Sequence, residues 1–227
     1  MKLIQKHLIK RLVDNNGLKY AELALGYDYE DNVVYHIKHL IKLGYVSKHD
    51  QHYYLTKEGL SFSSNIYLPD LKIVRYKTTL IGLLCRYQNQ VLLRKKTDGQ
   101  EQLYRLPGTK PFFGESAQTY LPRIANEEIG LTLAYDRFSL NSIQNKIQQT
   151  TLKSTLFDNA MFVYDFTLSP DEYPRCSVKE NNLWVPVAEI KNLQNIWPEI
   201  TIALDPKRQM FSEYGFTSNY LINPKDL

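Results

Sequence analysis

Two adjacent carboxylates, Glu127 and Glu128, follow Arg123 by four and five residues, and Glu115 precedes Arg123 by eight. A glycine-bearing loop (106–116) leads into this stretch and an Ile-Gly-Leu stop (129–131) closes it. Paired acids near the end of a helix behind such a loop are the residue types that hold a divalent cation against phosphate. Without a metal the same pair is a solvated helix end, and Arg123 is an i,i+4 ion-pair partner of Glu127.

Other chemistry is sparse. All five histidines (His7, His36, His39, His49, His52) fall in the first 52 residues, so the larger part of the chain has no histidine to act as ligand or general base. Ser116 therefore has no triad to join. Cys85 lies in an apolar run and reads as a buried structural thiol. With only Cys85 and Cys176, neither a disulfide framework nor a cysteine metal cluster is expected. Arg94 and Arg105 end two short β-type runs and could meet a ligand phosphate, as could Lys95-Lys96, which read equally well as a solvated turn.

The 227 residues, 43% hydrophobic, allow one large or two small domains with buried cores. No apolar run approaches a membrane span, and the charged start lacks a signal-peptide core, so a cytoplasmic protein without a membrane partner is expected. The net charge of +4 is split evenly between the first 68 residues and the rest. The histidine asymmetry suggests two domains, 1–66 and 70–227, with Leu68-Pro69 closing a polar connector.

In the first domain the apolar spacing predicts a helix over 3–13, stopped at Asn15-Asn16-Gly17, and a short helix over 19–25. Asp31 can cap a third helix over 32–43, whose apolar face is Val33, Ile37, Leu40 and Ile41. Two β-type runs (45–47, 53–55) flank a polar tip, and a further helix begins at 57. This order, and the wording VVYHIKHLIKLGYVSKHDQHYYLTKEGL (33–60), resemble the small bacterial winged helix-turn-helix regulators over about residues 3–62. The resemblance implies DNA binding. Asn32, Tyr35, Lys38, His39 and Lys42 would face the major groove with His36 on the flank, and Lys48, His49, Gln51 and His52 would form the wing tip. A domain with so little charge neutralises few phosphates, which implies a homodimer.

In the second part β-type runs are expected over 78–85, 90–93, 103–106, 157–166 and 182–187, with helical pieces over 188–193 and 199–203. Leu106-Pro107-Gly108, Gly114-Glu115-Ser116 and Arg123-x-x-x-Glu127-Glu128-x-Gly130-Leu131 resemble the box of the Nudix (MutT-like) family. LLCRYQNQVLLRKK (83–96) and NLWVPVAEI (182–190) look like that family's entry hairpin and late strand, and the likeness spans about 74–203. It implies an α/β/α sandwich, Mg²⁺ on Glu127 and Glu128, and nucleotide contacts from Arg94, Arg105, Glu115 and Arg123. Three departures stand out: Thr109 replaces the leading Gly, Ile124 replaces the Glu after Arg123, and Pro122 falls in or at the start of the helix.

The combination implies an α+β chain, a winged helix-turn-helix before a Nudix-type domain. The expected function is that of a transcriptional regulator that senses a nucleotide or nucleotide-sugar, with hydrolysis impaired or absent. The alternative is a Mg²⁺-dependent pyrophosphohydrolase of nucleoside diphosphate derivatives carrying an accessory winged helix.

Overall fold

The computed structural model describes residues 1–15, 17–67, 71–73, 76–98, 101–150, 153 and 155–218. Asn16, Leu68 and Pro69, expected to mark a stop and a boundary, lie outside the described residues. The chain forms two compact units, Met1–Tyr76 and Lys77–Leu227. Among the described residues no helix is long and apolar enough to cross a membrane.

The first unit runs α1 (Leu3–Asp14), β1 (Leu18–Lys19), α2 (Tyr20–Leu23), a 3₁₀ turn (Tyr29–Asp31), α3 (Val33–Lys42), β2 (Val46–His49), β3 (His52–Leu55), α4 (Lys57–Ser63), β4 (Ile66–Tyr67) and β5 (Lys72–Ile73). Its core joins Leu8, Ile9 and Leu12 of α1, Leu23 of α2 and Val33, Ile37 and Leu40 of α3. Arg11 ties α1 to α2 by donating to the carbonyls of Leu23 and Leu25, at 2.5 and 2.6 Å. β2 and β3 form a two-residue hairpin with Asp50 in the left-handed region, and β1 adds a third strand on β3. The 2-residue β1 carries no periodicity and was not expected from the sequence.

Three expectations for this unit change. Asn32, not Asp31, caps α3: it sits at φ 46°, a conformation asparagine tolerates, and its Oδ1 accepts the Tyr35 N–H at 3.3 Å. Ile41 is 38% exposed and leaves the apolar stripe to Val33, Ile37 and Leu40. His36, expected on the flank, is buried at 5% exposure because it lies three residues after Val33 and four before Leu40, on the same buried stripe.

The second unit runs β6 (Thr78–Tyr87), β7 (Gln90–Asp98), β8 (Glu101–Arg105), β9 (Gly108–Thr109), α5 (Ala117–Ile129), β10 (Ser139–Thr150), β11 (Thr155–Thr167), β12 (Asn182–Pro186), α6 (Val187–Ile190), α7 (Pro198–Leu204) and β13 (Phe211–Ser218). One mixed sheet has the order β12-β7-β6-β11-β10-β13, with β8 on β7 and β9 on β6; β6–β11 and β10–β13 are parallel. Both faces are covered, so β6 reads as a continuous apolar run. Ile81, Leu83 and Cys85 meet Leu121, Ile124, Ala125 and Ile129 of α5 on one face. Leu84, Val91, Leu93 and Met161 meet Ile190, Ile200 and Ala203 of α6 and α7 on the other.

β10 and β13 were not expected. In β10 the residues facing α7 are polar, Ser142, Gln144 and Lys146, so the strand lacks the usual apolar alternation. α5 begins at Ala117, which places Pro122 in the helix interior and not at its start. The proline withholds its N–H from the carbonyl of exposed Gln118.

The sharp turn into the box loop is made at Gly108, with φ 149°, where a Cβ would lie 1.9 Å from the Ile81 carbonyl oxygen. Thr109 pairs with Ile81 as ordinary strand, so the absence of glycine there costs the backbone nothing. Gly108→Ala is expected to remove at least 1–3 kcal/mol of stability. Both tryptophans, Trp184 and Trp197, lie in the second unit, so denaturant unfolding followed by tryptophan fluorescence on the full chain measures it.

Candidate functional site

The buried stripe of α5 is Leu121, Ile124, Ala125, Glu128 and Ile129, an i, i+3, i+4, i+7, i+8 pattern with one acid in an apolar row. Glu128 has no exposed surface. A carboxylate there must be paired. Arg94 of β7 donates to its Oε2, the Asn182 amide donates to the same oxygen at 3.0 Å, and Lys179 Nζ lies 2.9 Å from Oε1. The chain before β12 also caps the end of α5: Lys179 N–H and the Asn182 amide donate to the Glu128 carbonyl, and Ser177 N–H to that of Ile129. Burial alone would raise the Glu128 carboxyl, but the bonds from Asn182, Arg94 and Lys179 outweigh it and hold it below the usual carboxylate range.

Arg94 is largely spent in this arrangement. Its Nε donates to Asn182 Oδ1 at 3.2 Å and its Nη1 to the Gly108 carbonyl at 3.3 Å, so it links β7, β12, α5 and the box loop.

A second ionic group ties the loop before α5 to the middle and last turn of that helix. Arg123 Nε and Nη2 donate to the two Glu115 oxygens, each at 2.6 Å, and Nη1 to Glu127 Oε1 at 2.8 Å. Glu115 Oε2 also accepts the Phe112 N–H at 2.6 Å, and the Arg123 guanidinium lies 4.1 Å from the Phe112 ring centroid. This clamp fixes the box loop onto the helix. Hydrogen bonds from Arg123 hold the Glu115 carboxyl below its ordinary value. The expected nucleotide contacts Glu115 and Arg123 thus neutralise each other.

These residues do not fit a divalent cation. Ile124 is fully buried in the core, Glu128 is neutralised by two cations, and Glu127 pairs with Arg123. Among the described residues no three His, Cys, Asp or Glu side chains are grouped to hold a metal ion. The expected site on Glu127 and Glu128 therefore lacks both a third carboxylate and free charge.

Two open pockets meet at Arg94 and Arg105. One, of about 640 Å³, is lined by Arg94, Lys95, Lys96, Arg105, Lys179, Glu180 and Asn181. The other, of about 610 Å³, has the walls Leu80, Ile81, Leu106, Pro111, Phe112, Phe113 and Met161, with Lys146 and Glu199 at its base. Phe113, 95% exposed, stands at its rim. Lys146 Nζ lies 2.7 Å from Glu199 Oε2, and Glu199 also accepts from the Leu106 N–H and the Tyr214 hydroxyl. Burial pushes the Lys146 amine down, and Glu199 opposes that shift. Nothing in the sequence marked Lys146, Lys179, Asn182 or Glu199, each brought to the site from a segment distant from the 106–131 stretch.

In the first unit the surface of α3 presents Tyr35 (50% exposed), Lys38 and Lys42, with His39 half-buried and stacked on Tyr35 at 6.2 Å. Asn32 is exposed, with its oxygen engaged in the cap. Lys48, His49 and Gln51 are exposed on the β2–β3 hairpin and His52 is half-buried. His36 Nδ1 is buried without a hydrogen-bond partner, which removes it from that surface.

No protein-family model and no curated protein matches the chain. Among solved structures it is similar to a MutT protein of Bacillus halodurans, 18% identical over 63% of this chain and 93% of that one, with a TM-score of 0.49. It is also similar to a MutT Nudix hydrolase of Burkholderia pseudomallei (19% identical, 57% and 97% covered, TM-score 0.44). A third is the Nudix domain of Shewanella oneidensis NrtR, solved with ADP ribose (14% identical, 66% and 95% covered, TM-score 0.44). At such identities and TM-scores none of these lends its activity or ligand to this chain.

Glu128→Gln is expected to destabilise the second unit by roughly 3 kcal/mol, since it leaves Arg94 short of its counter-charge. Ile124→Glu, which completes the carboxylate set on paper, places an acid in the core. It is expected to lower the tryptophan-monitored midpoint with no recovery in millimolar Mg²⁺. Acid acts in the same direction. Bonds from Arg137 and Ser169 hold Glu172 down to about 2, and Glu115 and Glu128 are also depressed. Depressed carboxyls contribute stability above their unfolded values near 4.5 and lose it as pH falls toward 2. The midpoint is expected to drop through that window, and less steeply in Glu172→Gln.

Proposed function

We propose that the chain is a DNA-binding regulator. Its first unit is a winged helix, and its second is a Nudix-type domain that binds a nucleotide-type ligand without hydrolysing it. The observation that carries the second half is Glu128 held between Arg94 and Lys179 while Ile124 fills the core. The element order of the second unit supports the Nudix reading: a mixed sheet between helices, with the box residues on one loop and one helix. Cations at one end of the paired pockets and aromatic walls at the other suit a phosphate joined to a flat ring.

The first half is supported by the order α1-β1-α2-α3-β2-β3 with a three-stranded sheet. Lys38 and Lys42 lie one turn apart beside Tyr35 on the exposed face of α3, and Lys48 and His49 extend that chemistry to the hairpin. Lysines supply phosphate contacts and the Tyr35 hydroxyl a base-edge contact. Two copies on a two-fold site would double the few phosphate contacts one unit offers. Ligand would change DNA affinity only as far as it distinguishes the free and bound arrangements.

Fluorescence anisotropy with DNA from the chain's own promoter region tests this reading. The full chain is expected to bind with affinity that falls steeply with salt. Lys42→Ala should weaken binding to all sequences and reduce the salt slope by about one. Tyr35→Phe should narrow the gap between specific and random DNA. Binding to none of the fragments, or Lys42→Ala indistinguishable from the parent, contradicts it. Release of AMP or phosphate from ADP-ribose, dinucleotides or NTPs with Mg²⁺ or Mn²⁺ would instead favour a hydrolase.

A further inference from the structure

Arg105 ends β8 beside Arg94 on β7, with the two backbones paired. Its side chain lines both pockets. Its Nε is buried with no hydrogen-bond partner, and among the described residues its guanidinium forms no ion pair. Arg94 beside it is already committed to Glu128, Asn182 and Gly108. A guanidinium stays charged in a protein, and a partly buried one without a counter-ion is costly to keep. Burial first, and then the like charge of Arg94, push Arg105 below its ordinary value, the direction expected of a cation short of an anion.

Around it the charges are one-sided. Lys95 and Lys96 also form no ion pair among the described residues, and Lys179 gives one contact to Glu128 with its side chain 47% exposed. The acids facing this group are Glu180 on the rim, Glu128, already neutralised, and Glu199, paired with Lys146. The pocket is thus cationic where the resemblance to a Nudix box would put a metal held by carboxylates.

We propose that Arg105, with Lys95, Lys96 and Lys179, binds the phosphate or pyrophosphate group of an aromatic phosphate directly, with no divalent cation between protein and ligand. This rests on the reading of the second unit as a nucleotide-type binding domain. Two parallel guanidinium N–H donors match two phosphate oxygens, and the lysines add point charges. The ligand's ring then lies in the adjoining pocket, between Met161 and Leu80 and under Phe112 and Phe113. A nucleoside diphosphate meets both halves.

The test is isothermal titration calorimetry of the full chain with ADP, inorganic pyrophosphate and adenosine, each in EDTA and in Mg²⁺. ADP is expected to bind with the same affinity within about twofold in the two buffers, and pyrophosphate to bind in EDTA. Arg105→Gln should weaken both at least tenfold. Arg105→Lys, which keeps the charge and loses the fork, should recover only part. Lys96→Glu, on an exposed side chain that leaves the core intact, should weaken both severalfold and keeps the test valid if Arg105 variants fold poorly. Binding that needs Mg²⁺ and vanishes in EDTA overturns the proposal, as does full affinity in Arg105→Gln and Lys96→Glu, or no anion binding at all. Pyrophosphate bound in EDTA, lost in Lys96→Glu, with ADP no tighter than pyrophosphate would uphold the metal-free anion site and refute the nucleotide reading instead.

Discussion

A carboxylate with no exposed surface, seven residues along the apolar stripe of α5 from Leu121, is the constraint on which the second unit depends. An ionised acid in that position is tolerable only with full compensation. Glu128 receives it from two segments distant in sequence: Arg94 from β7, and Lys179 and Asn182 from the stretch that runs into the first residue of β12. The same contacts fix the helix end, because Asn182 and Lys179 also serve the Glu128 carbonyl. One acid thereby determines how α5 meets the sheet and where the segment before β12 runs.

The polarity of the cleft follows. Two cations are drawn to Glu128, and others, Lys95, Lys96 and Arg105, line the same pocket and form no ion pair among the described residues. From the middle of α5 the Arg123 clamp on Glu115 and Glu127 holds the box loop, which places Phe112 and Phe113 at the edge of the apolar pocket. Helix, loop and strand ends thus present positive charge on one side and rings on the other. The acids of this helix and loop, Glu115, Glu127 and Glu128, are used to hold the frame together.

Part of this was legible in the sequence. The helices of the first unit followed their apolar spacing and glycine stops, and the strands β6 and β7 their apolar runs, because local periodicity and packing agreed there. Glu115, Arg123, Glu127 and Glu128 were visible by type and spacing. Their roles were not, since Glu115 and Arg123 are each other's partners across a loop, and Glu128 is met by Lys179 and Asn182 from a segment no spacing rule connects to it. β10 was hidden for a related reason: its α7-facing side carries Gln144 and Lys146, which donate to Glu199, so it lacks the apolar alternation that marks a strand. His36 was misplaced because one residue of rotation along α3 separates the exposed face from the buried one.

Carboxyl-carbon NMR of the glutamate-labelled full chain, titrated with acid and with Mn²⁺, distinguishes Glu128 as a structural anion bound to Arg94 and Lys179 from Glu128 as a metal ligand. A structural anion gives a Glu128 resonance that titrates below the usual carboxylate range and is not preferentially broadened by Mn²⁺. An ordinary or raised titration, with Mn²⁺ broadening centred on Glu127 and Glu128, would contradict it.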